Sequence, residues 1–448
     1  MKHPLLYKTL AIALLMLLLL IPLGMIRSSI DERQHYSETV AQEIARSSSD
    51  AQTLTGPVLV VPYTKTEKYW ALNEQNESVW RKREVSGELY FLPELLQVNS
   101  EMSTELRQRG IYKVNLYHAD TRIEGQFRIP ADWGLGNALA DYQLQPAYLA
   151  MGISDIRGIK NSLKLHWDEV EQEVDPGSQV KILGEGVHSK LPAITLDKTI
   201  AFRLDILLQG TGKFSLVPVG KETRFNLVSA WPHPSFIGDF LPTDRHIHAQ
   251  GFSAQWQTSY FSTNMAEHFS RCTQHKDCQG FERTRFGVSL IDPVNHYVKS
   301  DRAIKYALLF IVLTFAGFFL FEVMKRLQVH PVQYALVGLA LAFFYLLLLS
   351  LSEHLDFGWA YLLSAAACVG LIGFYVCFVL HSIWRGLGFT SGLATLYALL
   401  YGLLSAEDYA LLMGSLLLFG LLAGFMALTR RVNWYAVGMG NNKAQGGE

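Results

Sequence analysis

Long uninterrupted apolar runs occupy both ends of the chain. Residues 9–26 hold 18 consecutive uncharged residues between Lys8 and Arg27, and about 18 is the practical minimum for a helix that crosses a bilayer. A secretory signal peptide is the alternative reading, but the run is long and no small-residue cleavage site follows it. We therefore predict a retained transmembrane anchor over residues 9–26, after a cytoplasmic N-terminus at 1–8.

The C-terminal third contains five more apolar runs with short connections. Only eight charged residues occur between Tyr306 and Thr429, which is far too few for a water-soluble domain. The pattern predicts a five-helix transmembrane bundle followed by a cytoplasmic tail at 430–448. Its helices are expected over residues 306–323, 331–352, 357–380, 386–405 and 409–429.

The basic residues beside these runs predict how the helices are oriented. An excess of Lys and Arg marks cytoplasmic segments. With the N-terminus inside, the cytoplasmic segments carry eight basic residues, and the two short outer loops carry none. The eight are Lys2, Lys8, Lys325, Arg326, Arg385, Arg430, Arg431 and Lys443. Both termini are therefore expected in the cytoplasm, with residues 27–305 on the opposite side of the membrane.

The middle of the chain has a different pattern. Residues 31–47 lack Gly and Pro and repeat apolar residues every four positions, which predicts a juxtamembrane helix. Short segments rich in β-branched and aromatic residues follow, separated by turn residues, and they predict strands. They lie at Pro57–Tyr63, Gly87–Leu92, Tyr112–Tyr117, Arg122–Ile129, Leu163–Trp167, Ile194–Leu208, Phe214–Pro218 and Phe225–Ser229. We predict a mainly β, antiparallel sandwich-like domain over 27–305, built as one or two β-subdomains.

The charge of this domain argues against a nucleic-acid partner. It carries 31 basic and 34 acidic residues, whereas a nucleic-acid surface should be strongly basic. Cys272 and Cys278 lie within it, and in an oxidising compartment they predict a structural disulfide. Two free thiols, or a metal site that includes His275, are the alternatives. A redox role has little support, because the spacing is not C-x-x-C.

Acidic residues near the ends of the spanning segments are further candidates. Glu322 precedes Lys325 and Arg326 by three and four positions, which predicts an interfacial salt bridge rather than a proton relay. Four more acids lie in the two short outer loops and could gather a cation, dock the β-domain, or simply be solvated loop tips. This acidic rim consists of Glu353, Asp356, Glu407 and Asp408.

Motifs that carry catalysis do not occur in the sequence. H-E-x-x-H, G-x-S-x-G and G-x-G-x-x-G are absent, so no catalytic residue, resident metal or cofactor is expected. His246 and His248 could share one side of a strand in the manner of metal ligands, but no third ligand is evident, and surface histidines explain them better.

Three stretches resemble the CreD family of bacterial inner-membrane cell envelope integrity proteins, and the similarity covers essentially the whole chain. The first begins Gly287-Val-Ser-Leu-Ile-Asp-Pro-Val-Asn-His and ends at Glu322. The second comprises His330-Pro-Val-Gln-Tyr-Ala-Leu-Val-Gly338 and Phe344–His354. The third comprises Leu396-Tyr397, Leu400-Tyr401, Glu407–Leu412, Thr429-Arg430 and Trp434-Tyr435.

The resemblance implies an inner-membrane protein with a periplasmic β-domain, induced with the Cre two-component response and linked to envelope integrity and altered colicin sensitivity. It supplies no reaction, ligand or catalytic residue. The leading hypothesis is a non-enzymatic protein whose β-domain contacts envelope components. The expected partners are the lipid bilayer, other envelope proteins or peptidoglycan, and the oligomeric state stays open. The alternative is a small-molecule transporter or channel with a periplasmic gating domain.

Overall fold

The structure, a computed structural model, describes residues 4–72, 78–290, 296–325, 329–405 and 410–430. The chain divides into two compact units. The helical unit combines Met1–Glu38 with Val294–Glu448, and the β-unit is Thr39–Pro293. The β-unit lies within the predicted periplasmic segment 27–305, whose bounds stay a prediction.

The first helix is continuous where the sequence pattern suggested two elements, at 9–26 and 31–47. Residues 27–30 contain neither Gly nor Pro, so nothing interrupts the backbone hydrogen bonds between them. The helices in chain order are α1 Pro4–Ser47, α2 Tyr260–Thr263, α3 Met265–His275, α4 Gln279–Arg283, α5 His296–Lys305, α6 Ala307–Lys325, α7 Pro331–Ser352, α8 Phe357–Val379, α9 Ile383–Ser405 and α10 Ala410–Thr429.

Several of these helices are apolar enough to cross a bilayer. Among the described residues four helices pass this test alone: one within Tyr7–Ser47, and α7, α8 and α9. The pair His296–Lys305 and Ala307–Glu322 passes it jointly, with a bend of 44° between the two parts. The 20-residue helix α10 follows α9.

The β-unit is built from long and short strands. In chain order they are β1 Gln52–Leu72, β2 Ser78–Phe91, β3 Leu95–Arg109, β4 Tyr112–Arg128, β5 Tyr142–Leu144, β6 Tyr148–Ile153, β7 Lys164–Trp167, β8 Val170–Glu173, β9 Asp175–Pro176, β10 Gly186–Lys190, β11 Thr199–Thr211, β12 Lys213–Val217, β13 Glu222–Ser229, β14 Pro234–Gly238, β15 Asp244–His248, β16 Gly251–Ser259 and β17 Phe286–Leu290.

The described strands form two sheets. One has the order β14-β17-β12-β1-β6-β10-β9, with β2 and β5 also paired to β1, and the other has the order β15-β16-β13-β3-β4-β11-β7-β8. The sandwich-like, mainly β architecture is as predicted, but the sheets are mixed rather than purely antiparallel. The strand pairs β1–β12 and β3–β13 run parallel, and the long stretches of chain between their strands permit the crossover that a parallel pair needs.

Aromatic side chains from both sheets form one core. The Trp256 ring on β16 stacks on Phe225 of β13 at 5.1 Å and on Phe286 of β17, in the other sheet, at 5.7 Å between centroids. Phe214 on β12 lies 6.0 Å from Phe225. All four residues are at most 1% exposed. The β-unit therefore has one continuous hydrophobic core rather than two.

Candidate functional site: the polar contacts of the anchor helix

Helix α1, here called the anchor helix, makes a buried ion pair near its beginning. Glu322 of α6 is 6% exposed and pairs with the Lys8 ammonium. The Val329 amide donates to Glu322 Oε1 at 3.1 Å, and the Tyr334 hydroxyl donates to Oε2 at 2.9 Å. Lys8 also donates to the Val329 carbonyl at 2.8 Å. We call these four residues the Glu322 cluster. Both carboxylate oxygens are satisfied, as a buried charge requires.

The side chains of the predicted partners of Glu322 are not among those that the structure describes. Arg326 and the side chain of Lys325 lie outside the described residues, so the predicted interfacial salt bridge stays a prediction. The structure instead pairs Glu322 with a cation 314 positions earlier in the chain. Sequence reasoning missed Lys8, because it identified that residue only as the charged flank of the first apolar run.

A second cluster lies at the other end of α7. Glu353, which caps the C-terminus of α7, accepts a hydrogen bond from the Tyr297 hydroxyl at 3.2 Å. Arg33 of the anchor helix approaches the same carboxylate, with 3.6 Å between Nε and Oε1. We call Arg33, Tyr297 and Glu353 the Glu353 cluster. The Glu353 side chain is 10% exposed, so it faces protein rather than solvent.

Two further ion pairs, both to Asp301, lie at this end of the helical unit. Asp301 on α5 bonds Lys305 at 2.6 Å and lies 3.8 Å from Nε of Arg27 on the anchor helix. Lys8 and Arg27 are 19 residues apart, which is roughly 28 Å along a helix. That span matches the ~30 Å hydrocarbon core of a bilayer. Lys8, near the beginning of the anchor helix, lies at the start of α7, and Arg33 lies at the end of α7. The anchor helix therefore runs parallel to α7.

Two of the four residues of the predicted acidic rim, Glu353 and Asp356, lie among the described residues. Glu353 points toward Arg33 and Tyr297, while Asp356 is exposed at the N-cap of α8 without a capping side-chain hydrogen bond. Glu407 and Asp408 lie outside the described residues, so the rim as a whole stays a prediction. No group of three or more potential metal ligands occurs in the described parts of the chain.

Between the two clusters, apolar residues of the anchor helix are buried at spacings of three, four and seven. They are Ile12, Leu19, Leu23, Ile26 and Ile30. Leu19 packs on Gly338 of α7, where an added Cβ would collide with Leu19 Cδ1 and lie 2.9 Å from Phe315 Cζ. A glycine therefore permits the close approach of two helices. The spacing is a signal for this packed stripe, but it is obscured because nearly every residue around it is also apolar.

The end of the anchor helix enters a buried polar network in the β-unit, which we call the joint. Its members are Ser49, Asp50, Gln52, Asp155, Arg157 and Gln209. Gln52 Nε2 donates to the carbonyls of Asp155 and Gln209 at 2.9 and 3.0 Å, and Ser49 Oγ donates to the Gln209 carbonyl at 2.8 Å. Ser49 and Gln52 are fully buried.

Asp155 is the charged centre of the joint. Its carboxylate accepts from Arg157 Nε and Nη2 at 2.9 and 2.6 Å and from the Asp50 amide at 2.9 Å. The Arg157 guanidinium, together with the backbone amides of Asp50 and Arg157, holds the pKa of Asp155 below its usual range despite burial. Arg157 also donates to the Arg46 carbonyl in the last turn of the anchor helix. Sequence reasoning missed the joint, because its contacts join distant segments: Asp50 and Asp155 are 105 positions apart, and Gln52 and Gln209 are 157 apart.

The remaining candidates lie elsewhere in the β-unit. Cys272 of α3 and Cys278 at the N-cap of α4 are joined by a disulfide, which leaves neither thiol for a metal. His246 and His248 lie on β15 and are exposed, and His246 Nε2 lies 3.6 Å from Asp244 Oδ2.

Apolar helices with ion pairs at both ends of a bilayer-length stripe, joined to a large β domain, define an integral membrane protein. Residues 4–435 match the family model "Inner membrane protein CreD". The chain is 36% identical over 446 residues to the inner membrane protein CreD of Escherichia coli (strain K12), covering 99% of this chain and 97% of that protein. The chain belongs to the CreD family of inner-membrane proteins, as its sequence motifs predicted.

Proposed function

We propose that this protein is a non-enzymatic scaffold that contributes to envelope integrity. In this proposal the helical unit holds the anchor helix in the membrane, and the β-unit, to which that helix is connected, contacts envelope components. The components proposed are the lipid bilayer, other envelope proteins and peptidoglycan. The observation that carries the proposal is that the anchor helix makes polar contacts in each unit, with the Glu322 and Glu353 clusters in the helical unit and with the joint in the β-unit. Lys8 and Arg33 hold it in the helical unit, and Arg46 meets Arg157 in the joint.

The proposed orientation has both termini in the cytoplasm and the β-unit in the periplasm. It is supported by the eight basic residues that fall on one side in this arrangement. A tag after Glu448 should therefore be shielded in intact spheroplasts and accessible after lysis. Accessibility in intact spheroplasts would contradict the orientation.

The transporter alternative has less support from the helical unit. A transport path should show polar side chains that face a cavity near the bilayer midplane. The hydroxyls of Thr314, Ser364 and Thr390 instead donate to carbonyls of their own helices at 2.7–2.8 Å. These bonds satisfy polar groups that would otherwise be available to a substrate.

The scaffold proposal is tested by releasing the anchor helix without removing it. In cells that lack their own family member, we expect the wild-type chain and Lys8→Arg to prevent leakage of a periplasmic enzyme into the medium. Lys8→Met should fail to do so at equal abundance in the membrane, because Glu322 then loses its cation. Full protection by Lys8→Met at equal abundance would refute the proposal.

A further inference from the structure

The strands β1 and β2 continue beyond the body of the sheet as a two-stranded ribbon. They pair from Leu59–Phe91 to Leu72–Ser78, whereas the pairing of β1 with β5 ends at Lys65. Beyond Lys65, residues 66–72 pair only with 78–84 in the described chain. Seven residues at about 3.3 Å each give a projection of roughly 23 Å.

One face of this ribbon carries two lysines and two tryptophans, with the pair Thr66–Glu84 at its base. Side chains alternate along a strand, so the facing pairs Lys68–Lys82 and Trp70–Trp80 share a face. We call these four residues the ribbon face. The two indole rings lie 4.1 Å apart and stabilise the ribbon against each other. Each indole residue nevertheless stays more than half exposed, at 57% for Trp70 and 58% for Trp80.

The lysines of the ribbon face are arranged unfavourably unless an anion is present. Like charges directly opposite each other on neighbouring strands destabilise a sheet, and neither ammonium forms an ion pair with a described carboxylate. On the reverse face, by contrast, Arg83 bonds Glu67 at 3.0 Å and lies over the Tyr69 ring at 5.5 Å. Arg81 also lies on the reverse face, but it is opposite Tyr69 rather than a second cation. Within residues 66–72 and 78–84, the directly facing pair of cations therefore lies beside the exposed tryptophans.

We propose that the ribbon face binds the anionic headgroups of a phospholipid surface. Tryptophan prefers the boundary between hydrocarbon and water, and lysines extend their ammonium groups to phosphates while their stems cover apolar surface. An uncharged glycan would occupy the indoles but leave the facing lysines without an anion. The proposal deepens the proposed function by naming lipid as the envelope component, and its test in vitro does not depend on the test in cells.

The test uses the full chain in phosphatidylcholine nanodiscs, mixed with separate vesicles and separated by flotation. We expect the chain to float with vesicles that contain phosphatidylglycerol, to remain below with pure phosphatidylcholine, and to be released by high salt. Lys68→Gln with Lys82→Gln should weaken binding roughly 25-fold, since each lysine near an anionic surface contributes about fivefold. Trp70→Ala with Trp80→Ala should also weaken it.

The matched control is Lys113→Gln with Lys198→Gln, which removes the same charge from exposed positions outside the ribbon face. This control should bind like the wild type, and circular dichroism should show that the Lys68 and Lys82 variant keeps its strands. Three outcomes would overturn the proposal: no flotation of the wild type, equal losses in both lysine variants, or lysine-dependent binding to purified peptidoglycan but not to vesicles.

Discussion

The Glu322 ion pair of the helical unit and the Arg203 ion pair of the β-unit lie in opposite environments. In the helical unit, Glu322 is buried and shares its two oxygens among a cation, an amide and a hydroxyl. In the β-unit, Arg203 bonds Asp205 at 2.7 Å on an outer sheet face, with the side chains 43% and 40% exposed. Water can replace the exposed partners but not the buried ones, so similar contacts should contribute very different free energies.

The largest effect is expected at the Glu322 cluster. Lys8→Met should lower the free energy of unfolding by about 3–5 kcal/mol, because it leaves a buried carboxylate without a cation. Lys8→Arg should remain close to the wild type. Unfolding of the full chain in detergent measures both. Lys325→Met with Arg326→Met tests the predicted interfacial salt bridge, and a loss as large as that of Lys8→Met would show that Lys8 is not the principal partner.

The next largest effect is expected where the anchor helix touches α7. Gly338→Val should cost about 1–3 kcal/mol, since the new side chain collides with Leu19. Adding Leu19→Ala should recover part of that loss, and a double-mutant cycle measures the coupling. Gly370→Val is the matched control, because an added Cβ there meets nothing within 4 Å. Equal losses at both glycines would argue against close packing of the anchor helix.

A smaller, pH-dependent effect is expected at the joint. The pKa of Asp155 is lowered in the folded chain, so its contribution is present above the unfolded pKa and is lost as the pH falls through the folded pKa. Asp155→Asn should cost about 1–2 kcal/mol at neutral pH, and the difference from the wild type should shrink below about pH 4. Denaturant unfolding across pH measures this, with the exposed Asp175→Asn as control. A difference that is constant with pH would contradict an ionised Asp155.

The smallest effect is expected on the exposed sheet face. Arg203→Ala should change the free energy of unfolding by less than about 1 kcal/mol, and the change should diminish at high salt. The same unfolding measurement applies. A loss comparable to that of Lys8→Met would remove the contrast between the two units.

Two segments predicted from hydropathy lie close to the bounds of helices in the structure. The predicted 331–352 coincides with α7, and the predicted 386–405 begins three residues after the start of α9 at Ile383. Strand bounds were less predictable. The pattern indicated Pro57–Tyr63 where β1 runs from Gln52 to Leu72, because the outer part of β1 mixes polar and aromatic residues and is held by its pairing with β2.

The sequence identified the acidic residues of the candidate sites but not their basic partners. Glu322 and Glu353 stand out as acids next to apolar runs, but nothing local identifies Lys8 or Arg33 as residues that approach them. The short helices α3 and α4 beside the disulfide were not predicted either, because brief helices inside a β domain depend on the surface against which they pack.

The sequence by itself determined the order of apolar and water-soluble segments, the mainly β character of the middle and the family. Each of these properties depends on residues that are close together in the chain, so the local sequence pattern is enough to reveal it. Tertiary structure alone decided which cation Glu322 receives, which strands run parallel, and that one helix joins the Glu322 cluster to the joint. Those outcomes depend on distances between residues that the chain order keeps far apart, and only the packed chain brings such residues into contact.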